Sequence, residues 1–262
     1  MRHPTVLIAA AFSLVLAAPN IGAASFAIDS FSTPAGGQIA SDAITDVNAG
    51  MNVLSGQPVL GGSREIIVLK TGQIGLGKQP VKASVNELDT GVFNFDQYSS
   101  TARGIGRLIY DGKADGLLTP KGFATGVDLT DGGTNLGFRF QDLKVTGSGL
   151  LLTVNLFNRT NGLAFSSGPQ TLVNGFMGEL VLPFASFTGA GGSGTASNVG
   201  AIEIVIDGSA VNASGSDLTF ALFTSGTPGP PPVPEPTSLA LLGCGVLLSG
   251  GYGLRRRVAS SR

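Results

Sequence analysis

Glu179 and Glu203 each sit inside an apolar, alternating run. Two such carboxylates brought face to face could hydrolyse a glycosidic bond, retaining at about 5–5.5 Å separation and inverting at roughly 6.5–9.5 Å. Both also occupy period-2 positions where a half-buried strand turns its charges to solvent, which is the plainer reading. Tyr98 and Tyr110 are candidate glycan contacts, because a flat ring can stack on a pyranose; Asp96, Arg103, Arg107 and Asp111 lie nearby in sequence. For Tyr110 the competing expectation is packing at a sheet edge. Asp111, Asp115, Asp128 and Asp131 fall in glycine-containing turns and offer the oxygen ligands a structural calcium would take. None follows the Asp-x-Asp-x-Asp-Gly spacing, and Asp-Gly is an ordinary turn dipeptide. Gly104-Ile105-Gly106 and the glycines from Gly245 to Gly253 lack the Lys-Ser/Thr that a phosphate loop requires.

What is missing narrows the chemistry further. The chain of 262 residues has one histidine, His3, and one cysteine, Cys244, both in terminal segments, and no tryptophan. From Ser25 to about Pro231 there is therefore no triad histidine, no thiol nucleophile, no His/Cys metal site and no disulfide. No catalytic residue, metal ligand or cofactor is assigned. That stretch carries 11 Lys+Arg against 16 Asp+Glu, a net of −5. An acidic body without a basic stripe argues against nucleic-acid binding.

The two ends read as addresses. A positive start, Met1-Arg2-His3, precedes an apolar run from Val6 to Ala18 broken only by Ser13, then Pro19-Asn20 and the small residues Gly22-Ala23-Ala24. A run of thirteen residues suits a signal-peptide core and is too short to cross a bilayer. Residues 1–24 are thus expected to be a helical signal peptide, cut between Ala24 and Ser25. At the other end, Gly226 to Pro232 is a Pro/Gly spacer that can form neither helix nor central strand. Val233-Pro234-Glu235-Pro236 follows, and Thr237 to Leu254 is an uncharged stretch of 18 residues, enough for a short transmembrane helix. Arg255, Arg256 and Arg257 would stop it on the cytoplasmic side.

Val-Pro-Glu-Pro, a short Leu/Ala/Gly-rich span and a terminal arginine cluster, in that order over residues 233–262, resemble the PEP-CTERM sorting signal of Gram-negative bacteria. The resemblance implies delivery by the secretion machinery, processing by exosortase near Pro234-Glu235-Pro236, and the company of exopolysaccharide in a biofilm matrix. It covers about 30 of the 262 residues. It marks a substrate of sorting and confers no activity.

Residues 25–225 read as one all-β body. Alternation predicts strands over 26–31, 64–70, 81–87, 91–95, 106–110, 124–129, 135–142, 150–157, 175–182, 199–206 and 217–223. In 201–207 the three isoleucines share one face and Glu203 and Asp207 the other. Leu136, Phe138 and Phe140 oppose Arg139, and Leu218, Phe220 and Leu222 repeat the pattern. The stretch 42–51 is expected to be a short helix or a loop. Turn signals such as Asp111-Gly112, Asp131-Gly132-Gly133 and Asn161-Gly162 separate these runs. Short strands so spaced predict a single antiparallel two-sheet sandwich, jelly-roll-like, loosely similar to carbohydrate-binding sandwiches. The expected protein is exported, held first at the inner membrane and then at the cell surface or outside. Its expected role is structural or weakly glycan-binding; the rival is a carboxylate-dependent polysaccharide hydrolase or lyase.

Overall fold

The computed structural model describes residues 26–32, 37–43, 50–73, 79–87, 89–98 and 101–226. The signal peptide, the Pro/Gly spacer beyond Gly226, the span 237–254 and the arginine cluster lie outside the described residues. Fifteen strands are present: β1 (Phe26–Asp29), β2 (Gln38–Asp42), β3 (Gly50–Ser55), β4 (Ser63–Gln73), β5 (Val81–Val85), β6 (Phe93–Asp96), β7 (Ala102–Tyr110), β8 (Gly137–Thr146), β9 (Leu151–Asn158), β10 (Ala164–Ser166), β11 (Gln170–Thr171), β12 (Met177–Pro183), β13 (Val199–Gly208), β14 (Asp217–Phe220) and β15 (Leu222–Gly226). Every pairing is antiparallel. The only helical pieces among the described residues are 3₁₀ turns of three residues each.

Two sheets face each other. The first runs β12, β8, β14/β15, β6/β1, β5, β2, and the second runs β10/β11, β9, β13, β7, β4, β3. From β6 onward the long strands alternate between the sheets: β6 in the first, β7 in the second, β8 back in the first, then β9, β12, β13 and β14 in turn. This is the antiparallel, jelly-roll-like sandwich that the alternation predicts. The isoleucines of β13 all point inward, and Ile202, Ile204 and Ile206 are fully buried.

Three expectations are corrected. Residues 124–129 form no strand; the segment makes a single bridge, Val127 to Val199. The stretch 42–51 holds the end of β2 and the start of β3, two short strands in which Ile39-Ala40 and Val53-Leu54 stand side by side and blur the alternation. Leu136 lies before β8 and is exposed, while Phe138 and Phe140 are buried.

Phenylalanines fill the space between the sheets. Phe220 packs against Phe93, Phe140 and Phe31, with ring centroids 5.0, 5.1 and 5.3 Å apart. Each ring so buried contributes roughly 1.5–3 kcal/mol. Close approach at the centre depends on β7: a Cβ on Gly106 would lie 2.6 Å from the Phe95 ring, so glycine lets that ring rest on the backbone.

One polar cluster crosses this core. Arg64 on β4 is fully buried; its Nη1 donates to Asp29 Oδ2 at 2.7 Å and its Nε to Gln38 Oε1 at 2.8 Å. Tyr110 on β7 donates its hydroxyl to the same Asp29 oxygen at 2.8 Å. Asp29 Oδ1 accepts the Phe31 N–H at 2.7 Å, and the Phe31 ring lies under the guanidinium at 5.7 Å. Burial and the neighbouring Asp29 charge push the Tyr110 hydroxyl well above its usual range, so it remains a donor. Removing one partner leaves a buried charge uncompensated. Asp29→Ala is expected to cost about 3–5 kcal/mol and Tyr110→Phe about 1.5–3 kcal/mol, read by urea unfolding.

Candidate functional site

The first sheet carries an open polar cleft on its outer face. Alternation builds it: Val81, Ala83, Phe93, Phe95, Leu218, Phe220, Leu143 and Val145 point into the core. The residues between them therefore point out. Register then aligns those outward residues in two rows across the strands. One row runs Ser41, Lys82, Asp96, Asp217, Thr146; the next runs Ile39, Ser84, Asn94, Thr219, Lys144. Neighbours within a row stand about 5 Å apart, and the rows are separated by roughly 7 Å along the strands.

A local irregularity deepens the surface. In β8, Phe138 and Phe140 are buried, yet the inward positions resume at Leu143 and Val145, an odd step away. The extra residue is accommodated at Gln141-Asp142, where the pairing with β12 shifts and Asp142 takes a left-handed φ of 52°. On the facing edge, Ala221 separates β14 from β15 and donates its N–H to Gln141 O at 3.0 Å. Beyond this break the register sets Phe223 opposite Phe140 and Leu222 opposite Gln141. The resulting hollow of about 240 Å³ is lined by Ser84, Glu87, Asp89, Val92, Asn94, Asp142, Lys144, Thr219, Phe220 and Ala221. A second, of about 360 Å³, adds Asp96, Thr146 and Asp217 and shares Asp89, Asn94, Lys144 and Thr219 with the first.

Charge in the cleft is unevenly partnered. Lys82 forms an ion pair with Glu87. Glu87 stays below its ordinary value: burial works to raise it, and the bonds from Lys82 and Ser84 with the Lys82 charge outweigh that. Asp217 is pushed up to about 6, first by burial, then by the Asp96 charge and the hydrogen bond between the two carboxyls. The Gln97 N–H, 3.3 Å from Asp217 Oδ1, opposes the shift. Asn94 is 9% exposed and its amide has no hydrogen-bond partner among the described residues. Lys144 is exposed and forms no ion pair among them. The Asn94 amide, two adjoining carboxyls, a hydroxyl and an ammonium thus face one open hollow.

The residues singled out in the sequence are dispersed. Tyr98 is 61% exposed and lies two residues beyond Asp96. Tyr110 is withdrawn from any ligand by its burial against Asp29, which corrects its reading as a glycan contact. Glu179 belongs to β12 of the first sheet and pairs with Arg139. Glu203 belongs to β13 of the second, where it accepts from Arg107 Nε at 2.6 Å and Asn155 Nδ2 at 2.9 Å. The two glutamates occupy different sheets, each on an outward position bonded to its own neighbours, so they form no facing carboxylate pair. The turn aspartates cap backbone instead: Asp111 accepts the N–H groups of Lys113 and Thr119, Asp115 that of Leu117, and Asp128 those of Thr130 and Gly132. Asp131 accepts from the Thr134 hydroxyl. Among the described residues no three acidic, His or Cys side chains gather as metal ligands. The sorting-motif residues Val233, Pro234, Glu235 and Pro236 lie outside the described residues, as do Ala24 and Ser25. No helix of the described residues is long and apolar enough to cross a membrane.

Of the sequence-flagged residues, Asp96 alone lines the cleft. The others carried a readable signal in the polar half of each alternation, Lys82/Ser84, Asn94/Asp96, Lys144/Thr146 and Asp217/Thr219, but only register brings them together.

Because folding raises the Asp217 value, the folded state holds its proton where the unfolded chain has released it. Stability is therefore lost as pH rises from about 4 to about 6. Asp217→Asn is expected to stabilise the protein at neutral pH by about 1 kcal/mol, solvent screening having reduced the effect, and to change little at pH 4. Thermal unfolding at the two pH values checks this.

Residues 232–257 match the PEP-CTERM protein-sorting motif. The motif marks an exported chain, anchored at the membrane and then released to the surface, with exosortase as its processing partner. No curated protein sequence matches the chain. Among solved structures, the family 11 carbohydrate-binding module of the cellulosomal cellulase Lic26A-Cel5E of Clostridium thermocellum aligns at 13% identity over 78% of this chain and 95% of the module, with a TM-score of 0.36. An agarase, AgWH50C, aligns at 12% identity over 57% of this chain and 22% of its own, with a TM-score of 0.38.

Proposed function

We propose that this exosortase substrate is a non-catalytic glycan-binding protein of the bacterial surface or extracellular matrix, and that the cleft across β5, β6, β14 and β8 is its binding site. The observation that carries the reading is Asn94: a residue 9% exposed whose amide opens on the hollow and has no hydrogen-bond partner among the described residues, in a wall of carboxyl, hydroxyl and ammonium groups. An amide that opens on the hollow and is not bonded by the protein is available to a ligand, and a polyhydroxylated chain supplies donors and acceptors along its whole length. The cleft is open and built on strands, so a long polymer can lie across it and its contacts are held in place before binding.

The body makes the contact and the tail sets the place. Cleavage between Ala24 and Ser25, a span over 237–254 and a cytoplasmic stop at Arg255, Arg256 and Arg257 complete the proposed itinerary. A chain ended by a stop codon at Val233 is expected to accumulate in the medium while the full chain fractionates with the envelope; retention of the shortened chain in the envelope would refute the anchor. For the site, affinity electrophoresis of the exported protein through neutral, basic and acidic polysaccharides is the direct measurement. At least one should retard it, and Asn94→Ala should weaken that retardation about tenfold or more without lowering the melting temperature. Unretarded migration through all three would refute the binding reading.

A further inference from the structure

The balance of charge in the cleft says more about the ligand than its polarity does. Glu87, Asp89, Asp96, Asp142 and Asp217 line the two hollows, and Lys144 is the one cation on the same walls. Lys82 adds a second ammonium nearby, but it is spent on Glu87. An acidic polymer would bring further negative charge against four carboxyl groups without a cationic partner among the described residues. A neutral polymer would leave them with hydroxyl contacts alone. An ammonium group would meet them directly, in charge-assisted hydrogen bonds about twice as strong as neutral ones.

Resting on the glycan-binding reading above, we propose that the ligand is a cationic glycan, a hexosamine polymer with free amino groups. Its ammonium groups sit at the Asp96–Asp217 pair and beside Asp142, about two rows further along the sheet. Asn94 bonds the hydroxyls between them. Lys144, across Thr219 from Asn94 in register, donates to a hydroxyl or to the carbonyl of a residue that has kept its acetyl group. A partly de-N-acetylated chain matches this mixture of carboxylates and one ammonium better than a fully deacetylated one.

The test uses the exported protein and three oligosaccharides of equal length: β-1,4-linked glucosamine, its fully N-acetylated form, and an uncharged β-glucan. Calorimetry near pH 6.5 at low salt should show the glucosamine oligomer binding roughly tenfold or more tightly than the other two, with affinity falling as salt rises. Asp96→Asn/Asp217→Asn should remove that preference. Asp89→Asn/Asp142→Asn, both at exposed positions, should reduce it in a protein whose fold is undisturbed. Equal binding of the acetylated or neutral oligomer would overturn the proposal and leave the glycan-binding reading standing. A glucosamine preference that survives both double substitutions would also overturn it, since the amino groups would then be held elsewhere. Binding of none of the three, together with free migration in all polysaccharide gels, would refute both readings.

Discussion

A single buried ion pair fixes how the two sheets meet. Arg64 and Asp29 belong to opposite sheets, and neither is more than 2% exposed. Two charges taken out of water are tolerated only where geometry and further hydrogen bonds offset the lost hydration. Here the surplus bonding capacity is filled from both sides: Tyr110 from the second sheet, Gln38 and the Phe31 backbone from the first. Gln38 also donates to the carbonyls of Asn52 and Arg64, tying β2 to β3 and β4. Phe31 accepts a left-handed backbone, φ 52°, to place its N–H on Asp29 and its ring under the guanidinium. An alignment that parted these groups would leave two charges buried and unpaired, which the arrangement disfavours. In a body without a cysteine from Ser25 to Pro231, the cluster occupies the role that a cross-sheet disulfide fills in other secreted sandwiches.

That alignment is what holds the cleft in shape. Phe93, Phe140 and Phe220 lie beneath it; Phe31, the ring under the guanidinium, packs on Phe93 and Phe220, and Phe140 packs on Phe220. The break at Ala221 and the extra residue at Gln141-Asp142 face each other across the same two strands. Either alone would distort an edge; together they open a hollow in the middle of a sheet while the hydrogen-bond ladder continues on both sides.

Much of this was written in the alternation of polar and apolar residues. Ile202, Ile204 and Ile206 could be assigned to the core from sequence, and so could the sandwich as a whole. The cleft could not, because its residues come from three stretches of chain far apart, β5 with β6, β8 and β14, and its depth depends on a phase shift. A run read at strict period 2 carries Leu222 onto the face of Phe220; one residue inserted into the ladder moves the pattern by half a period. Tyr110 misled for a related reason. A tyrosine near a strand end looks accessible until Asp29, more than eighty positions away, is seen to supply its partner. The short strands β2 and β3 were invisible because five or six residues with apolar neighbours side by side, Ile39-Ala40 and Val53-Leu54, scarcely alternate.

The outer edge of the first sheet has its own consequence. Among the described residues β12 is paired only with β8, so its far side has no strand partner there. Yet it begins at Met177-Gly178, where φ of Gly178 is 141°, loses register at Glu179, and ends in Pro183, which has no N–H to offer. A flat, regular border would invite the next copy to add its own strand, and proteins delivered in number to one surface would zip into fibrils. This border is too crooked to template such growth along β12.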